Sequence, residues 1–190
     1  MIIKKDIQIN IDKIKNKDLQ FLISTTYENA IDFLKNKYGK VKGSYFLTKT
    51  CASPNKKIKR TNDGLVIHHI KENLVADISK KERALLFPFE YQESENLVYC
   101  NFLEHLILHI LIIKEVELEY ILKSKQLVGY GGVVNYLEPM LLSWQKNPPI
   151  LDWMKRCYMV IEEDLQDLQF LLNIFHIVEK SKHLQLFKIR

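Results

Sequence analysis

Only three cysteines occur in the 190-residue chain, Cys51, Cys100 and Cys157, and no two form a CxxC pair. That spacing argues against a disulfide framework and against a cysteine-rich structural zinc knuckle, and it fits a reducing compartment. Long apolar runs are also missing. The longest, "LILHILII" at residues 106–113, is too short to span a bilayer and carries a histidine. The N-terminal "MIIKKDIQINIDKIKNKD" contains no signal-peptide core. The expectation is a cytoplasmic protein with no membrane contact. There is no internal repeat, and the glycines of "GYGGVVNYLEP" match neither a Walker nor a dinucleotide-binding pattern; that stretch reads as a turn-rich break. Acid is missing from one long stretch. Between Phe33 and Asn62 lie nine basic residues (Lys35, Lys37, Lys40, Lys42, Lys49, Lys56, Lys57, Lys59, Arg60) and no Asp or Glu. Such a field favours a polyanion such as nucleic acid. On charge alone, a solvated lysine-rich surface is the blander reading.

What is present suits one domain over 1–190. Hydrophobic residues are 47% of the chain, enough to bury a core, and the formal charge is a mild +5. "NKDLQFLISTTYENAIDFLKNKYGK" carries a helical stripe closed by Gly39, and "SYFLTKT" suits a short strand. "CASPNKKIKRTNDG" reads as a basic loop, "LVIHHI" and "NLVYC" as strands, and Ser79 to Leu86 as a short helix stopped near Pro88. "NFLEHLILHILIIKEVELEYILKSK" is the clearest helix. Asn101 and Glu104 sit at its start with capping-box spacing. A long helical pattern follows the double proline of "NPPILDWMKRC", with His176 and His183 near its end. The fold class expected is α+β: a predominantly helical chain with an N-terminal helical part (1–44), a β-containing core (45–125) interrupted by an insertion at about 72–94, and a C-terminal helical part (126–190).

The chemistry is concentrated in histidine. His68 and His69 are adjacent on a candidate strand, so their side chains point to opposite faces. His105 and His109 are four apart on the clearest helix, which puts both imidazoles on one face within reach of one metal. Alone, such a pair in an apolar helix is more often packing. The text is "HLILH", not "HExxH", so the glutamate base of a zinc metallopeptidase is missing. A hairpin packed on the helix would add a strand histidine and make three imidazoles, leaving a coordination position open. The second strand histidine would then lie beside the metal, with an ordinary pKa near 6.5 that suits a general base.

"LVIHHI" followed by "ENLVYCNFLEHLILH" resembles the HNH endonucleases of the ββα-metal class, and among them the colicin-type DNases, where histidine replaces the more usual first aspartate. The resemblance covers roughly residues 60 to 112 and implies a role for each matched position. His68 matches the first metal ligand and His69 the base that activates water. Asn96 matches the central asparagine that pins the loop and orients the base. His105 matches the helix ligand, and His109 the additional helix ligand of the colicin-like subset. One departure is plain: 26 residues separate His69 from Asn96, more than a compact hairpin loop needs.

The resemblance implies metal-dependent hydrolysis of a phosphodiester with a 5′-phosphate product, using one divalent ion. Three imidazoles favour zinc by ligand softness, whereas family members often use magnesium or manganese. Lys59, Arg60 and Lys71 flank the "HH" strand and are the candidates for binding phosphate near the cut. The expected partner is DNA, with RNA as the variant that the sequence does not separate from it, and a homodimer would suit double-strand cutting. Two other readings stand beside it. One is a non-catalytic nucleic-acid-binding or regulatory module braced by the same metal. The other is a zinc hydrolase with another substrate, disfavoured by the missing "HExxH" glutamate and by the basic run.

Overall fold

The computed structural model describes residues 2–124 and 127–187. Three helices open the chain: α1 (Ile2–Lys13), α2 (Lys17–Ser24) and α3 (Tyr27–Tyr38). A helical turn, α4 (Lys56–Lys59), precedes strand β1 (Val66–His69). The insertion is made of 3₁₀ turns and one short helix, α5 (Lys81–Ala84), and leads into β2 (Leu97–Cys100). Then follow α6 (Phe102–Glu115), α7 (Leu118–Ser124), α8 (Tyr130–Gly132), a π-helical turn Val133–Leu137, α9 (Glu138–Lys146), α10 (Asp152–Ile161), a 3₁₀ segment Glu163–Asp167, and α11 (Leu168–Phe187). The chain is mostly helical with one two-stranded antiparallel sheet, an α+β arrangement. None of its described helices is long and apolar enough to cross a membrane.

Helix α6 is the centre of the molecule. From Phe102 to Ile113 every residue but His105 is buried, and a helix apolar nearly all round must be enclosed on all sides. Helices α2, α3, α10 and α11 supply much of that enclosure. Its start is fixed by the residues the sequence singles out: Asn101 accepts from Leu103 N and Glu104 N, and Glu104 accepts from Asn101 N in return. Lys37 Nζ and Tyr38 Oη, from α3, both donate to Glu104 at 2.9 Å. This buried carboxylate therefore ties the first turn of α6 to α3 as well as capping it.

The sheet lies between two cores. Val66, Val98 and Cys100 face the main core around α6, while Ile67 and Leu97 face a smaller cluster with Val41, Tyr45, Phe46 and Ile58. Alternation along the strands demands this split. It also explains why His69, expected to face away from the core, is buried nevertheless.

Several elements differ from the sequence expectation. The first helical stripe is two helices, because Thr26 caps α3 by accepting from Asn29 N. "SYFLTKT" forms no strand; only an isolated bridge joins Phe46 to Pro54. The basic loop contains α4, capped by Asn55. The short helix expected over Ser79–Leu86 is reduced to Lys81–Ala84. The long C-terminal pattern is broken at Glu163–Asp167, where the Asp167 carboxylate turns to accept from Lys15 N and Asn16 N at the α1–α2 junction. "GYGGVVNYLEP" is helical from Tyr130 onward. Pro139 cannot supply an i→i−4 bond, and the helix widens beside it so that Glu138 N–H reaches Val133 O, five residues back. The junction expected at 125–126 lies outside the described residues.

Candidate metal centre

Strand register and helix entry together assemble the histidines. β1 pairs with β2 so that His68 lies opposite Val98 and His69 opposite Leu97. Helix α6 begins two residues after β2 and returns across the sheet, which brings His105 and His109 against the face that carries His68. The His68 ring centroid is 5.1 Å from that of His105 and 5.4 Å from that of His109. The sequence-predicted trio is therefore one cluster.

Hydrogen bonds fix which nitrogens face inward. Tyr27 Oη donates its one hydrogen to Ile70 O and so must accept from His68 Nε2, 2.8 Å away. His68 thus carries its proton on Nε2, and its buried Nδ1 lone pair has no hydrogen-bond partner. His109 Nδ1 donates to the carbonyl of Gly129 at 3.0 Å, which leaves Nε2 with the lone pair. His109 Nε2 is 3.2 Å from His105 Nε2. Such outer partners orient imidazoles for coordination in known metal sites. His105 lacks one: its Nδ1 is buried without a partner.

A fourth donor was not anticipated from the sequence. Glu72, in the 3₁₀ turn Ile70–Asn73 that follows β1, brings Oε2 to 3.6 Å from His68 Nδ1. Ligand atoms of His68, Glu72, His105 and His109 all lie within 4.8 Å of one another, so this group could hold a metal ion. Two ligands at the usual zinc distance and tetrahedral angle are about 3.3 Å apart. The 3.2 Å and 3.6 Å separations bracket that edge. Electrostatics fit as well. Burial and the other imidazoles hold His68 and His105 well below the ordinary histidine range, and burial holds His109 down to about 4. All three are neutral ligands at pH 7. Burial and the charge of Asp77 push Glu72 up to about 8. The sequence signal was available: Glu72 is four residues after His68, in "HHIKE".

His69 faces the other side of the strand. Its Nε2 is 2.9 Å from Gln92 Oε1, and Gln92 Nε2 donates to Ile78 O, so the imidazole is the donor and Nδ1 keeps the lone pair. The Tyr45 ring packs edge-on at 4.5 Å. Burial holds the His69 pKa down to about 4. The matched asparagine does not perform this orientation. Asn96 is not brought to the cluster; its Nδ2 donates to Glu90 O at 2.8 Å and closes the end of the insertion. Gln92, from within the insertion, holds His69 instead.

A cavity of about 510 Å³ opens onto these groups, lined by His69, Glu72, His105 and His109. Lys59 and Arg60 line it too. Lys59 Nζ lies 5.5 Å from the Tyr45 ring centroid, and its pKa is lowered by burial and by Arg60. Arg60 lies over the Trp153 ring, its guanidinium carbon 3.5 Å from the centroid. Lys71 is not part of the lining; its ammonium sits 6.0 Å from the Tyr91 ring centroid. His176 and His183 stand apart on α11, near Glu138 and Glu179.

Scanned against protein-family models, curated proteins and solved structures, the chain matches none of them. The site itself is a three-imidazole, one-carboxylate cluster at the wall of a cavity lined by Lys59, Arg60, Lys80 and Asp77, with a fourth neutral imidazole beside it.

Proposed function

We propose that the protein is a metal-dependent phosphodiester hydrolase of the HNH type, acting on DNA. The observation that carries this reading is the division of labour across β1. His68 joins the α6 histidines on one face, while His69, on the other, keeps an unprotonated Nδ1 and lines the same cavity. The strand–strand–helix order, β1, β2, α6, is that of the motif the sequence resembles.

His68, His105 and His109, with Glu72 beside them, would hold the ion. A bound divalent cation there supplies Lewis-acid stabilisation of the phosphate and of the departing oxygen. His69 removes a proton from the attacking water, whose oxygen forms the new bond to phosphorus as the bond to the 3′-oxygen breaks. The 3′-oxygen leaves as a hydroxyl after taking a proton from solvent, and the product keeps a 5′-phosphate. Gln92 holds the His69 ring so that Nδ1 stays the basic atom throughout. Lys59 and Arg60 neutralise the phosphate charge at the cavity rim.

Glu72 favours a second reading. Four protein ligands complete a tetrahedral shell, which is characteristic of structural zinc, and the chain would then be a metal-braced binding module. Plasmid nicking separates the two. Cleavage with manganese, magnesium or zinc that drops at least about 100-fold in His69→Ala, the scale of general-base catalysis, supports the hydrolase. No cleavage with any divalent ion selects the module. Cleavage unaffected by His69→Ala removes His69 from the mechanism.

A further inference from the structure

The nature of the bound strand follows from the shape of the cavity and from a wall that the HNH resemblance does not cover. The volume of about 510 Å³ corresponds to a sphere about 10 Å across. A B-DNA duplex, whose major groove alone is about 12 Å wide, does not enter it. Yet three of the four candidate ligands, Glu72, His105 and His109, line this space. A duplex could offer the cavity only an outer phosphate, whereas a strand that fills it with base and phosphate together is unpaired.

The wall facing β1 is the helical stretch from Gly131 to Tyr136. Gly132 lies against the His109 ring so closely that a Cβ there would be 2.4 Å from His109 Cε1. The π turn that follows puts Asn135 and Tyr136 on the cavity lining. π turns inside α-helices recur at functional sites. Tyr136 is 45% exposed and lines the cavity, and its ring centroid is 6.2 Å from that of Phe102. Arg60, also on the lining, has its guanidinium carbon 3.5 Å from the Trp153 ring centroid, a contact that restrains a group suited to phosphate. An aromatic face, an amide and a restrained guanidinium form the recognition set of single-stranded nucleic acid.

We infer that the site admits one nucleotide of a single strand: its base against Tyr136 and Asn135, its phosphate between Arg60 and the histidine cluster. Duplex DNA is then a substrate only at a frayed end, flap or extruded nucleotide. This rests on the nucleic-acid part of the function proposed above.

The test uses the full chain loaded with zinc. Fluorescence anisotropy compares an end-labelled oligonucleotide of about 15 residues, within the range of single-strand site sizes, with its blunt duplex. The single strand should bind at least roughly tenfold more tightly. Tyr136→Ala should weaken single-strand binding about fivefold or more, the loss of one base–aromatic stack, whereas Tyr136→Phe should keep it. Duplex binding equal to or tighter than single-strand binding overturns the inference. So does a Tyr136→Ala variant that binds the single strand normally, or one that weakens both ligands equally. Cleavage is read separately. Equal cutting of duplex and single strand overturns the inference and leaves the hydrolase standing. A retained single-strand preference without cleavage does the reverse.

Discussion

Replacing Gly132 with alanine sets two calculable effects against each other. The backbone there is ordinary right-handed helix, φ −64° and ψ −37°, so alanine is allowed. By helix propensity alone it would stabilise the chain by about 1 kcal/mol. The space, however, is filled. The added Cβ would lie 2.4 Å from His109 Cε1, 2.8 Å from Nδ1 and 3.0 Å from Nε2. Carbon atoms rest about 3.5 Å or more apart, so the ring must retreat by about 1 Å. Coordination tolerates roughly 0.2 Å. His109 Nε2 therefore leaves the ion, and the Nδ1 bond to Gly129 O is strained with it. Overpacking of this kind costs about 1–3 kcal/mol, which cancels or exceeds the propensity gain. Gly131 is the internal control, because a Cβ there meets only Asn135 Nδ2, at an ordinary 3.6 Å. A chelator-competition titration with zinc should show Gly132→Ala weakened by roughly 100-fold, the upper end of losses seen when a ligand's support is removed. Gly131→Ala should stay near wild type. Metal-free thermal melts should rank Gly131→Ala at or above wild type and Gly132→Ala at or below it. A Gly132→Ala protein that binds zinc with unchanged affinity would refute the reasoning, because His109 would then be either undisplaced or not a ligand.

Two further outcomes follow from the same network. Tyr27→Phe removes the oxygen that accepts from His68 Nε2 and donates to Ile70 O. Zinc affinity should fall about tenfold, and unfolding free energy by about 1–3 kcal/mol as both groups lose their partner; an unchanged affinity in the chelator assay would mean that His68 is not oriented by this hydrogen bond. Acid should destabilise the metal-free chain. His69 and His109 are held at about 4 by burial, below the 6.5 of an unfolded histidine, so the unfolded state binds more protons between those values. Their contribution is therefore complete above pH 6.5 and is lost as pH falls toward 4. It amounts to about 3 kcal/mol for each ring. Glu72, pushed up to about 8, works in the opposite sense over this window, because the folded state binds its proton first. Urea melts with chelator in a Glu72→Gln background therefore read the histidine contribution, and a flat profile there would contradict the burial of neutral imidazoles.

The parts of the site that the sequence disclosed are those whose geometry is local. Asn101 and Glu104 are three residues apart and cap α6 as their spacing implies. His105 and His109 are one turn apart, and the alternation of β1 splits His68 from His69. What stayed hidden depends on how the chain returns to itself. Gln92, rather than Asn96, reaches His69 because the 3₁₀ turn Phe89–Gln92 buries it under Ile78, a pairing set by the whole insertion. The glycines of "GYGGVV" read as a break because propensity penalises them in a helix. In the fold, the Gly129 carbonyl and the missing Cβ of Gly132 are what let the segment close over His109.

Glu72 stands between these cases. Its spacing from His68 is as local as that of the α6 pair, but it falls where the strand pattern "LVIHHI" has ended and the insertion begins, so no periodicity aims it. The 3₁₀ turn that ends β1 bends it inward instead. The 3.6 Å between Glu72 Oε2 and His68 Nδ1 thus puts two donors of the group on one short segment, the end of β1 and the turn that follows it.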